Sequence, residues 1–109
     1  MIIDFDKMEL QHLTSFKGGE KELAANMFFD GENRVLRGTL VPGATIGLHK
    51  HEGNCEMIFI TSGTGTVLMD GAYETVKAGV CHYCPEGHEH SLINNSNADL
   101  TFLAVVPKQ

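Results

Sequence analysis

The chain reads as an all-β sandwich or barrel built as a single domain. Nine short β-type runs follow one another at roughly ten-residue spacing. A turn signal separates each neighbouring pair, and no amphipathic helix of ordinary length interrupts them, which argues against a βαβ design.

Taken in order, residues 1–20 form an N-terminal arm in which Asp6 to Lys17 can support a short helical turn. Lys17-Gly-Gly-Glu20 breaks it, and the β domain takes residues 21–109. Leu23–Phe29 and Arg34–Val41 are apolar-rich runs joined by the hairpin-like Asp30-Gly-Glu-Asn33, and Pro42-Gly43 stops the second. Thr45–His51, Met57–Thr61, Gly65–Asp70, Tyr73–Val76, Val80–Cys84, His90–Asn94 and Leu100–Val106 complete the set. Their punctuation is Ser62-Gly63, Asp70-Gly71, Ala78-Gly79, Pro85-Glu-Gly87 and Asn94-Asn-Ser-Asn97.

At 109 residues the chain is long enough to bury one core and too short for two ordinary domains. A formal charge of −6 with no basic cluster excludes a nucleic-acid partner, and no apolar stretch reaches membrane-spanning length. The start, Met1-Ile-Ile-Asp-Phe-Asp-Lys7, puts acids where an export signal needs a basic start. Three cysteines cannot all pair within one chain, so reduced thiols and a cytoplasmic location are expected.

The chemistry concentrates on histidine. His49 and His51 lie two apart, and on a strand such residues project from one face with room to share a metal ion. A short turn through Glu52-Gly-Asn-Cys55 can return Glu56 to them, and His90 can supply a fourth ligand from a distant strand.

The surrounding pattern resembles the cupin family. Gly43, five residues, His49-Lys-His51, four residues, Glu56, six residues and Gly63 match its first motif. Gly79, five residues, Pro85-Glu-Gly87, two residues, His90, three residues and Asn94 match its second. The resemblance implies a double-stranded β-helix, or jelly roll, with a metal held inside by His49, His51, Glu56 and His90. Three imidazoles and one carboxylate suit one divalent transition metal (Fe, Mn, Ni, Co, Cu or Zn) better than the oxygen-seeking Ca or Mg. In an octahedron they leave two positions for oxygen, water or a small-molecule substrate.

Several residues stand outside that set. His88, two before His90, is either an acid/base at the pocket mouth or a solvated loop histidine. Cys81 and Cys84, with His82 between them, form a Cys-x-x-Cys within a strand, where residues three apart face opposite ways, so buried structural thiols are expected rather than a redox pair or a zinc site. Arg34 and Arg37 should likewise split between inside and outside. The inward one would clamp a substrate carboxylate, unless it joins a surface ion pair. Asn94 either reaches the pocket or opens the turn that follows. Glu56, Ile58 and Ile60 should line the interior, leaving Met57 and Phe59 on an outer face that a second copy would cover as a homodimer.

The expected function is that of a metal-dependent enzyme on a small organic molecule, dioxygenase-like first and isomerase or lyase second. The alternative is a non-catalytic module that binds metal and a small molecule. A sensor barrel fused to DNA-binding helices fits poorly, because the helical part is missing here.

Overall fold

The computed structural model describes residues 1–109. Ten strands form two antiparallel sheets, the arrangement that the family resemblance implied. They are β1 (Gln11–Thr14), β2 (Glu22–Phe29), β3 (Arg34–Leu40), β4 (Thr45–Lys50), β5 (Glu56–Ser62), β6 (Thr64–Met69), β7 (Ala72–Lys77), β8 (Cys81–Cys84), β9 (Glu89–Ile93) and β10 (Leu100–Val106). The larger sheet runs β1-β2-β3-β10-β5-β8 and the smaller β4-β9-β6-β7.

The alternation seen in the sequence decides which side chains fill the space between the sheets. On β3, Leu36, Gly38 and Leu40 are buried while Val35, Arg37 and Thr39 are not. On β5 the same rule buries Glu56, Ile58 and Ile60 and turns Phe59 outward. Phe102 of β10 lies at the centre of this core. It occupies the space over Gly38, where an added Cβ would meet its ring at 2.5 Å.

The arm departs from the expected helical turn. Only Phe5–Lys7 and Phe16–Gly18 make 3₁₀ turns, and between them β1 pairs with β2 at the sheet edge. The second turn presses so closely on β4 that only glycine fits on either side. A Cβ on Gly19 would sit 2.0 Å from the Thr45 carbonyl oxygen, and one on Gly47 would sit 1.9 Å from that of Lys17.

One irregularity aims the site. In the β4–β9 ladder Ile46 faces Leu92 and His49 faces His90, so β4 spends one residue more than β9 between the two pairs. Plain alternation would put Ile46 and His49 on opposite faces. The bulge at Gly47-Leu48 resets the parity, so that Ile46 and His51 are both buried and Leu48 is exposed.

Candidate metal centre

The four sequence-predicted residues meet at one end of the space between the sheets. His49 and His51 come from β4 and the residue beyond it, His90 from β9, and Glu56 from the first position of β5 on the opposite sheet. One potential ligand atom from each lies within 4.8 Å of all the others, a group that could hold a metal ion. His51, Glu56 and His90 are buried and His49 is partly so.

Each imidazole is oriented from behind. His49 Nδ1 is 2.7 Å from the Gly47 carbonyl oxygen, and His51 Nδ1 is 2.7 Å from Asn54 Oδ1. Those acceptors require a proton on Nδ1 and leave the Nε2 lone pair free. The Nε2 atoms of His49, His51 and His90 stand 3.9, 3.2 and 2.8 Å from Glu56 Oε1. His51 Nε2 and His90 Nε2 are only 2.9 Å apart. Two imidazole lone pairs and a carboxylate at such spacing, with the protons held outside, call for a cation between them. The donor set therefore fits a divalent transition metal.

The electrostatics agree. Burial works against the Glu56 carboxylate, but the imidazoles of His49, His51 and His90 outweigh it and hold its pKa well below the usual range. Burial also works against a charge on His51, and Glu56 and Asn54 overcome it to raise its pKa.

His82 is the residue the sequence reading passed over. Read only as the filler between Cys81 and Cys84, it occupies an inward position of β8 and places Nε2 2.9 Å from His90 Nδ1. Burial first, and His90 second, push its pKa down to about 4, so it is neutral at pH 7. Strand parity was the available signal, since His82 is an even step from the buried Cys84.

The remaining candidates fall elsewhere. His88 is about half exposed and bonds through Nδ1 to Asp70, whose carboxylate also accepts the Glu89 amide. It is not among the side chains that line the cavity beside the four ligands. Cys84 is buried, and that burial above all lifts its thiol to about 11, but Cys81 is exposed, contrary to the expectation that both are buried. Asn94 is fully buried in the turn it opens, donating to the Leu40 and Ala98 carbonyls. Arg37 faces outward and pairs with Asp6, whereas Arg34 lines the cavity. That cavity measures about 300 Å³ and is partly open to solvent, with the exposed Lys17 among its lining residues.

Comparison with known proteins agrees with this geometry. The family model described as "Cupin domain" matches residues 36–106. An oxalate-binding protein of Thermotoga maritima is 31% identical over 97% of this chain and 93% of its own. A crystal structure of a predicted oxalate decarboxylase from Thermotoga maritima superposes with a TM-score of 0.92 at 30% identity, covering all of both chains. A sugar phosphate isomerase of the cupin superfamily from Silicibacter pomeroyi gives a TM-score of 0.80 at 22% identity, over all of this chain and 76% of that one, a likeness of fold alone. With two complete motifs, a matching family model and the four residues gathered at one end of the barrel, the chain belongs to the cupin family.

Proposed function

We propose that this protein holds one divalent transition metal on His49, His51, Glu56 and His90 and uses it to bind a small organic acid of the size of oxalate. The convergence of three outward-anchored imidazoles on one carboxylate oxygen carries the reading. The relative's name, oxalate-binding protein, supports the ligand class, and the cavity of about 300 Å³ beside the four residues has room for it. When bound, the metal supplies Lewis acidity and, for Fe, Mn or Cu, access to one-electron chemistry. The protein's own part is to fix the imidazole tautomers, exclude bulk water from the inner wall through Ile46, Leu36 and Phe102, and leave one side of the group open.

Metal analysis after loading with Mn, Fe, Co, Ni, Cu and Zn in turn tests the assignment. About one equivalent is expected in the wild type, falling at least about tenfold in affinity in His49→Ala. Full metal content in that variant would overturn the site. Oxalate should then raise the melting temperature of the loaded protein more than that of the metal-free protein.

Oxygen-dependent turnover of the bound acid is the second reading, favoured by the coordination positions that four ligands leave free. In that reading His88, which Asp70 holds outside the cavity lining, turns inward as the acid/base, with isomerase or lyase chemistry as the variant that consumes no oxygen. A loaded protein that binds oxalate without oxygen uptake or product would leave the binding module as the function.

The outward face of the larger sheet supports a homodimer. Phe59 and Tyr83 are 45% and 51% exposed on neighbouring strands, alongside Met57 and Cys81, which are their register partners. Light scattering on the wild type and Phe59→Glu tests this, with a monomeric wild type overturning it. No helix is long and apolar enough to cross a membrane. Three unpaired cysteines fit a reducing compartment, and a cytoplasmic location belongs to the same proposal.

A further inference from the structure

The cavity has a second half that the four ligands do not explain. Arg34 opens β3 in step with the buried Leu36, Gly38 and Leu40, so its side chain turns into the mouth of the barrel and lines the same cavity as His49, His51 and Glu56. Its Nε is buried without a hydrogen-bond partner. No carboxylate stands within ion-pairing distance of it, although the chain carries fourteen acids against eight lysines and arginines. The only neighbour that steadies its charge is the Phe29 ring, 4.6 Å from Cζ. The other arginine shows what an ordinary structural role looks like here, since Arg37 reaches Asp6 and, through Nε and one Nη, Asn26. A guanidinium kept half-buried and unpaired carries a free-energy cost that an incoming anion would remove.

Lys17 faces the same cavity from the 3₁₀ turn at its mouth. Its backbone is in the left-handed region at φ 56°, a conformation an L-residue adopts only when its surroundings impose it. The glycine contacts with β4 impose it. Like Arg34, it has no acid partner. Lys50 and Glu52, also at the rim, pair with each other and cancel.

The charges can be added. A divalent ion with three neutral imidazoles and one carboxylate keeps one net positive charge, and Arg34 and Lys17 add two more. A neutral chelator would leave all of that uncompensated, whereas a dianion would offset most of it. We propose that Arg34 and Lys17 are the carboxylate-reading half of the site, so that this cavity selects small dianionic acids over neutral metal chelators of similar size. This assignment rests on the proposed metal centre for its charge sum, and on Arg34 and Lys17 alone for its residues.

Titration calorimetry on manganese-loaded and metal-free protein tests it, using oxalate, malonate, inorganic phosphate and oxamide, the neutral diamide of oxalate's size, as probes. Arg34→Gln should weaken oxalate about 10- to 100-fold while changing oxamide affinity and metal content less than about twofold. Lys17→Gln should act in the same direction by about three- to tenfold, as a point charge without a bidentate fork. Arg34→Lys keeps the charge and the stem and should recover part of the loss. If Arg34→Gln fails to fold, Arg34→Met, which keeps an apolar stem beside Phe29 without the charge, takes its place, and wild-type oxalate affinity in it overturns the assignment. Equal oxalate affinity in wild type and Arg34→Gln overturns it too, as does phosphate binding more tightly than oxalate or no oxalate binding by either form of the wild type. A wild type that takes up no metal defeats the metal centre separately. Oxalate binding by that metal-free protein, lost in Arg34→Gln, would still support the cationic half-site.

Discussion

His82 and His90 are joined across the two sheets, with His82 Nε2 2.9 Å from His90 Nδ1. For His90 to present Nε2 to the ligand group, its Nδ1 must donate and His82 must accept. The lowered pKa of His82, about 4, keeps it neutral and able to do so. His82→Phe should therefore weaken metal binding about 10- to 100-fold, through a residue that touches no metal. His82→Gln, whose amide oxygen can accept the same hydrogen, should recover part of that loss. Competition titration with a chromophoric chelator measures both, and wild-type affinity in His82→Phe would refute the relay.

The pH dependence of stability should change sign with metal. In the metal-free protein the raised pKa of His51 contributes stability that is fully present below its ordinary value of 6.5 and is lost as pH rises through the folded value. Glu56 works oppositely and lower, contributing above its ordinary 4.5 and losing that contribution only as pH falls through its depressed folded value. His82, whose folded value of about 4 lies below its ordinary 6.5, contributes stability that is gained as pH rises through 6.5 and is nearly complete by about pH 7. Between about pH 7 and 8 the metal-free protein should thus lose melting temperature as the His51 contribution fades. The loaded protein should gain on it over the same interval, because imidazoles ligate only when neutral. Scanning calorimetry of both forms checks this, and a gap that narrows with rising pH would contradict it.

Much of this centre was legible in the sequence, and the parts that were not have a common physical cause. Two-residue spacing placed His49 and His51 on one face because side-chain alternation is local, and the turn glycines were readable for the same reason. Gly43 and Gly79, which open the two motifs, sit at φ 85° and 96°. Whether that shared face was the inner one depended on the bulge at Gly47-Leu48, which is a property of how β4 pairs with β9. The pairing of β1 with β2 was hidden because Gln11–Thr14 carries no alternation of its own. His82 looked like a spacer between two cysteines, since its partner arrives from the other sheet. Arg34 could be assigned inside or outside only once Leu36 and Leu40 were seen to be buried.

The packing of the 3₁₀ turn on β4 predicts a large effect from one methyl group. A Cβ at Gly47 would lie 1.9 Å from the Lys17 carbonyl oxygen and 2.7 Å from the Gly19 amide nitrogen, and backbone cannot swing aside as a side chain can. Gly47→Ala should cost about 3 kcal/mol or more. Gly53→Ala is the control, because at φ 77° it meets nothing within 4 Å. It should cost only about 1 kcal/mol, from backbone conformation alone. Urea denaturation of the three proteins measures the difference, and near-equal midpoints for the two variants would show that the turn can yield.

Asn94 separates a structural motif residue from a functional one. Its Nδ2 donates to the Leu40 and Ala98 carbonyls at 2.7 and 2.8 Å, and its Oδ1 accepts from the Ser96 amide and hydroxyl at 3.0 and 2.7 Å. All four bonds lie around a fully buried amide that ties the β9–β10 turn to the end of β3. Asn94→Ala leaves at least the buried Leu40 carbonyl without its partner, and should cost about 3 kcal/mol. Asn94→Asp should cost at least as much, because a carboxylate cannot donate to either carbonyl and would bring a charge into the interior. Ser96→Ala, which removes one partly buried hydroxyl, should cost about 1 kcal/mol. Because Asn94 lies outside the four-ligand group, the folded fraction of Asn94→Ala should keep wild-type metal affinity and oxalate affinity. Denaturant melts and metal titration on the same preparation decide the point: a variant of normal stability that has lost metal would move Asn94 from the turn to the site.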